Sequence, residues 1–307
     1  MAGVLEGFAV IAVLVAVGAL AAQVGVIDAA GGRALARVVF FIATPALLLD
    51  LLSRSDPVSV FSSSLIGAVT SVVVVSTAYA LVARFVLHRE SGHLVIGMLC
   101  SSYVNAANLG IPIAVYVLDD ATYIAPVLLM QLVLLSPLAF GALGAITSGH
   151  RPAPHVLLLY GVRNPLTLAA VAGLALAIAG WPIPSAVADP LALLGGMSVP
   201  GMLIAYGVSL RLGPRIGASG SAGEVALVTV LKLVVQPALA YLLGRLVLGL
   251  EGNDLLALTV LAALPTAQNI FVYATRYDRA TLLARDAIAA STLLAVPAML
   301  TITALIG

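Results

Sequence analysis

The chain has 307 residues, of which 62% are hydrophobic and only 9% charged, with a formal net charge of +1. A soluble domain averages roughly 45–50% and 25% for the same classes. No soluble core hides that much apolar surface in so short a chain, so the solvent for most of it is lipid.

Nucleic-acid binding has no basic stretch to rest on. The single cysteine, Cys100, excludes a disulfide framework within the chain and reads as a small packing residue. The N-terminal run Met1–Val26 carries Glu6 and no basic segment, so it reads as a first membrane helix and not as a cleaved signal peptide.

A helical span needs about 20 apolar residues, and nothing shows the alternation of an outer-membrane barrel. In chain order, helices are expected near 4–26, 34–52, 61–87, 94–118, 121–146, 165–180, 191–210, 223–248, 255–277 and 279–306. The intervening loops sort by charge. One set holds Arg33, Arg37, Arg84, Arg89, Arg151, Arg163, Arg211, Arg215, Arg276, Arg279 and Arg285; the other holds Arg54 and Arg245 among several acids. Basic loops face the cytoplasm. Both termini are therefore expected outside an inner (plasma) membrane, with loop 147–164 inside. Nine or eleven spans would spoil this alternation.

The two halves repeat weakly at a period near 160. Pro137 answers Pro297, Pro45 answers Pro200, and the stretch Asn105–Pro112 answers Pro265–Asn269. Five spans per half force the second half to enter from the opposite side, which is an inverted-topology repeat. The expected fold is all-α and integral to the membrane: residues 1–147 as one five-helix repeat, 148–164 as a cytoplasmic linker, and 165–307 as the inverted copy.

Helices four and nine carry the informative residues. Pro112 lacks a backbone donor and Gly110 eases unwinding; Pro265 interrupts helix nine in the same way. Asn105 lies about 16 Å from the cytoplasmic end of its span and Pro265 about 15 Å from the outer end of its own, both near midplane. Amide-bearing, proline-interrupted segments at matching depth point to a binding site for an anion, held by amide donors and half-helix N-termini. The candidate residues are Asn105, Asn108, Gln268, Asn269, Tyr103 and Thr266, with Tyr273 also able to face the pocket. The bland alternative is a structural kink patched by the amides.

Two ionisable residues sit inside spans. Lys232 and Asp286 lie at similar depth, where a charge costs roughly 3 kcal/mol on insertion scales. A Lys232–Asp286 pair, snorkelling of Lys232 and proton coupling through Asp286 all fit that depth. Asp50 reads as interfacial or as a gating or proton group. The histidines His88, His93, His150 and His155 fall in or beside cytoplasmic loops and read as solvated or in contact with lipid headgroups, and His150 and His155 have no Cys or His companion at zinc spacing. No metal or other cofactor is expected.

Three segments resemble the auxin efflux carrier family, which includes plant PIN-type carriers and shorter bacterial members. They are Asn105-Ala-Ala-Asn-Leu-Gly-Ile-Pro112, Leu264-Pro-Thr-Ala-Gln-Asn-Ile-Phe-Val-Tyr-Ala-Thr-Arg-Tyr277 and Leu231-Lys-Leu-Val-Val-Gln-Pro-Ala-Leu-Ala-Tyr241. The resemblance implies two inverted five-helix repeats whose helices 4 and 9 cross at their breaks, similar to sodium–bile-acid transporters. It implies a carrier of carboxylates, such as indole acids or dicarboxylates like malate and malonate, working by elevator-type alternating access. Asn105 and Asn269 match the family's helix-four and helix-nine asparagines; Asn108 stands where relatives often carry an apolar or aromatic residue. The expected partners are thus a small organic anion and the lipid bilayer, with a homodimer left open. An anion channel or membrane-embedded sensor on the same fold is the alternative. An enzyme is not expected, since no catalytic motif is present.

Overall fold

In the computed structural model of the protein, residues 2–54, 63–148, 165–213 and 222–306 are described. The linker residues 149–164, together with Asp56, Arg215, His150 and His155, lie outside them. Every regular element among the described residues is helical. Six helices are long and apolar enough to cross a membrane: Ala29–Ser53, Ser64–Phe85, Ala121–Thr147, Ser185–Leu212, Ala222–Val247 and Thr281–Ile306. Four shorter apolar helices cover Ala9–Gln23, Ala106–Tyr116, Pro165–Ala179 and Gly252–Ala262.

Four prolines share one local arrangement. Five-residue or six-residue π-helical segments at Val39–Ala43, Ala106–Gly110, Met130–Leu135 and Leu231–Val235 each run straight into an α-helix whose second residue is proline: Pro45, Pro112, Pro137 and Pro237. A proline ring clashes with the carbonyl four residues back and offers that carbonyl no N–H. Widening the preceding turn by one residue relieves the clash, and bonding five residues ahead re-satisfies the backbone. The prolines therefore loosen their helices without ending them.

The chain divides into two compact units, each drawn from both halves of the sequence. The first comprises Met1–Ser62, Ala107–Leu132 and Gly161–Gly213. In it α1 (Ala2–Gln23) packs along Ser198–Leu212, and Thr44–Ser53 packs on Pro165–Ala179. The first of these approaches is very close, because a Cβ on Gly18 would land on the Ile204 carbonyl and one on Gly207 on the Val15 carbonyl. Small residues are the usual means of tight helix packing in lipid, where burial gives little hydrophobic driving force. Leu48, Leu52, Leu166 and Leu203 fill this unit's interior, and Thr44 shares a buried hydroxyl bond of 2.8 Å with Ser198.

The second unit comprises Ser63–Ala106, Val133–Tyr160 and Pro214–Gly307. Its core is built from Tyr79, Ile96, Leu143, Val228, Ile270 and Ala287, all fully buried. Two of its helices stop inside the unit: α2, as we label Ser91–Ser102, and α3, Gly252–Ala262. A later short helix, α4, starts at Asn269 and runs to Tyr277. The chain between these ends carries the residues of interest.

Candidate functional site

Beyond α2 the backbone turns extended at Tyr103 (φ −83°, ψ 107°), and Val104 pairs antiparallel with Thr266 in an isolated bridge. The Asn105 N–H donates to the Pro265 carbonyl at 2.8 Å, and the Ala267 N–H to the Tyr103 carbonyl at 3.1 Å. Thr266 adds two more ties. Its hydroxyl donates to the Cys100 carbonyl at 2.6 Å, and its N–H donates to Ser291 Oγ at 3.1 Å. Non-helical backbone at membrane depth survives only when its polar groups are satisfied by protein. This isolated bridge does that for the backbone between the helix ends.

Gly110 and Pro112 do not mark the extended stretch. Gly110 has helical backbone (φ −64°, ψ −43°), and Pro112 follows directly on the π-helical turn Ala106–Gly110, which takes up its missing N–H. Pro265 does lie in the pairing, and its carbonyl is what Asn105 meets.

Asn105 is 2% exposed, and its Nδ2 has no hydrogen-bond partner among the described residues. Asn269, at the start of α4, donates its Nδ2 to the Tyr273 hydroxyl at 3.0 Å and leaves Oδ1 without a partner. The Tyr273 hydroxyl lies 3.3 Å from Ser136 Oγ, which lies 3.0 Å from the Tyr103 hydroxyl. A chain of hydroxyls thus joins Tyr103, Ser136, Tyr273 and Asn269. Phe140 packs against the Tyr273 ring at 4.6 Å between centroids and fixes its position.

An orphaned buried amide atom costs about 1–3 kcal/mol, so Nδ2 of Asn105 and Oδ1 of Asn269 each call for a partner. Asn105 offers a donor. Turning the Asn269 amide about its last torsion presents a second donor, because the Tyr273 hydroxyl can equally donate to the oxygen that replaces the nitrogen. Two amide donors without a fixed cation suit a carboxylate oxygen pair. The positive dipole end of α4 at Asn269 favours the same sign of charge.

The other expected site residues are distributed as follows. Gln268 is half-buried beside Asn269, and Thr266 is fully buried with its hydroxyl engaged in the pairing. Asn108, half-buried in Ala106–Gly110, belongs to the first unit. Lys232 and Asp286 do not pair. The Lys232 ammonium donates to Gln236 Oε1 at 2.6 Å and to the Ala262 carbonyl at 2.7 Å, while Asp286 takes the Arg285 guanidinium at 2.8 Å. The ammonium reaches the last carbonyl of α3, and the nearer guanidinium meets the carboxylate. Asp50 pairs with Arg54 one turn on, at 2.6 Å on an exposed face.

His93 is not a solvated loop residue. It sits in the first turn of α2 with Nε2 2.8 Å from the carboxylate of Glu224, which is 3% exposed and also takes Tyr79 at 2.7 Å and Arg89 at 2.6 Å. Ser136 and Glu224 were both missed from sequence. Ser136 precedes the proline that drew attention to its helix, and Glu224 sits at the head of an apolar span. Only the i, i+4 spacing of Lys232 and Gln236 offered a signal for that contact. No group of three or more His, Cys, Asp or Glu able to hold a metal occurs among the described residues.

The sequence profile of the membrane transport protein family matches residues 4–142 and 151–303. The chain belongs to that family, whose members are auxin-efflux-carrier-like transport proteins. It is a multi-pass membrane protein. It is also similar to a "Putative malonate transporter" of Rhizobium meliloti, with 27% identity over 249 residues, covering 78% of this chain and 76% of the relative.

Proposed function

We propose that the protein is a secondary carrier of a small organic anion, a dicarboxylate such as malonate before an indole acid, working by alternating access. The observation that carries this reading is the pair of asparagines beside the Val104–Thr266 pairing, each with a polar amide atom lacking a partner. The amides supply donors without a buried fixed charge, so a carboxylate can leave as readily as it enters. Similarity to a protein described as a malonate transporter favours the smaller dicarboxylate.

The reading takes the ten apolar helices as spans in two inverted repeats of five, with the interruptions at Tyr103–Asn105 and Ala263–Gln268 near midplane. An inverted repeat gives inward-open and outward-open states of similar energy. The charge asymmetry of the loops puts both termini outside the inner membrane.

Binding of malonate, malate and indole acids to purified protein tests the assignment. Malonate is expected to bind, and an Asn105→Ala, Asn269→Ala double variant is expected to lose that binding while keeping its fold. Undiminished affinity in the double variant sinks the site; binding of indole acids alone sinks the substrate class.

A further inference from the structure

Lys232 is completely buried and is used by nothing in the binding scheme above. Its ammonium has no carboxylate partner among the described residues; it meets the amide oxygen of Gln236 and the last carbonyl of α3, that of Ala262. Gln236, one turn further along the same helix, donates its Nε2 to the Ser102 carbonyl at 3.1 Å. Ser102 is the last residue of α2. One side-chain pair therefore reaches the carbonyl ends of both helices that stop at the Val104–Thr266 pairing.

A helix C-terminus carries the equivalent of about −0.5 charge. Two such ends meeting one buried side-chain pair add up to roughly one negative charge, and one ammonium balances it. Left without the ammonium, those ends would lie uncompensated near Asn105, where they would oppose an incoming anion.

We propose that Lys232 is a tethered cation: it holds the ends of α2 and α3 together through Gln236, and it fills the place that a dissociable coupling cation would otherwise occupy. Lys232 is thus a positioning residue, and the carrier has no requirement for sodium or potassium. The role in anion transport rests on the proposed function; the cation role stands without it.

The test compares wild type with Lys232→Ala and Lys232→Met, as purified protein and in vesicles. Thermal melting is followed in choline chloride, sodium chloride and ethylammonium chloride at one ionic strength, and malonate uptake in the same salts. Wild type is expected to melt and transport alike in all three. Lys232→Ala is expected to melt lower in choline chloride and to recover at least half of the loss with ethylammonium or sodium. Lys232→Met, with an apolar chain in the same space, is expected to be impaired without recovery. Melting and uptake of Lys232→Met equal to wild type overturn the proposal, as does ethylammonium acting equally on wild type and Lys232→Ala. Should Lys232→Ala fail to fold, Lys232→Met decides alone. Melting needs no substrate, so a wild type that does not take up malonate counts against the proposed function only.

Discussion

The ring of Tyr79 occupies the space in which a side chain at Gly97 would begin, and that vacancy lets the Tyr79 hydroxyl reach Glu224 at 2.7 Å. Both residues lie in the second unit, on neighbouring helices. A Gly97→Ala substitution puts a methyl into a fully buried tyrosine and pulls its hydroxyl off a buried carboxylate. Overpacking and the lost bond together are expected to cost about 2–4 kcal/mol. Thermal melting of the variant in detergent measures it, and an unchanged midpoint would show that the tyrosine moves aside freely.

Glu224 accepts from Tyr79, from two nitrogens of Arg89 and from His93. An ionised carboxylate only accepts, so His93 must present a protonated Nε2 to it. Glu224→Gln is expected to destabilise the protein by about 1–3 kcal/mol, discounted for the partly exposed Arg89. A double-mutant cycle with His93→Ala should show strong non-additivity. Simple additivity would mean that the two side chains do not act on each other.

Ser136 is the middle of the hydroxyl chain between Tyr103 and Tyr273. Removing its oxygen with Ser136→Ala takes one hydroxyl partner from Tyr273, the residue that holds the amide of Asn269. The expected result is a rise in the half-saturation concentration for anion uptake of up to about tenfold, equivalent to ~1.4 kcal/mol, with the maximal rate little changed. A fall in maximal rate at constant half-saturation would place the serine outside the binding step.

Asn105→Asp replaces a donor with a charge of the substrate's own sign in a 2% exposed position. Anion binding is expected to weaken by more than about tenfold, whereas Asn105→Ser, which keeps a donor, is expected to retain part of it. Isothermal titration of both variants provides the comparison. Equal affinities would remove Asn105 from the site.

In the first unit, Gly207→Ala drives a methyl onto the Val15 carbonyl and forces α1 away from Ser198–Leu212. A loss of about 1–3 kcal/mol is expected, read as a lower melting midpoint. The same change at Gly196, which has open space around it, serves as the neutral control.

Much of this was legible in the residues. Apolar runs located four of the six long helices to within three residues, because a run of that length has few alternatives in lipid, and placed the starts of Ala29–Ser53 and Ser185–Leu212 five and six residues late. Asn105 and Asn269 drew attention because amides beside prolines stand out against an apolar background. The prolines themselves misled in part. Pro112 looked like a break, yet the π-helical turn at Ala106–Gly110 absorbs it and the extended backbone falls at Tyr103–Asn105. Local sequence says that a turn must loosen, but how it loosens depends on what waits to satisfy its freed groups.

Composition and span length are properties of the chain read one segment at a time, and they alone determined an all-helical multi-pass membrane protein. The partner of each polar side chain was decided only by the tertiary structure. Lys232 and Asp286 are expected at a common depth, but depth is one coordinate and pairing needs three; the fold turns Lys232 to the ends of α2 and α3, and Asp286 meets Arg285. Ser136 lies 33 residues from Tyr103 and 137 from Tyr273, and no sequence period brings three such positions together. Packing does, because a hydroxyl buried away from water has to find another.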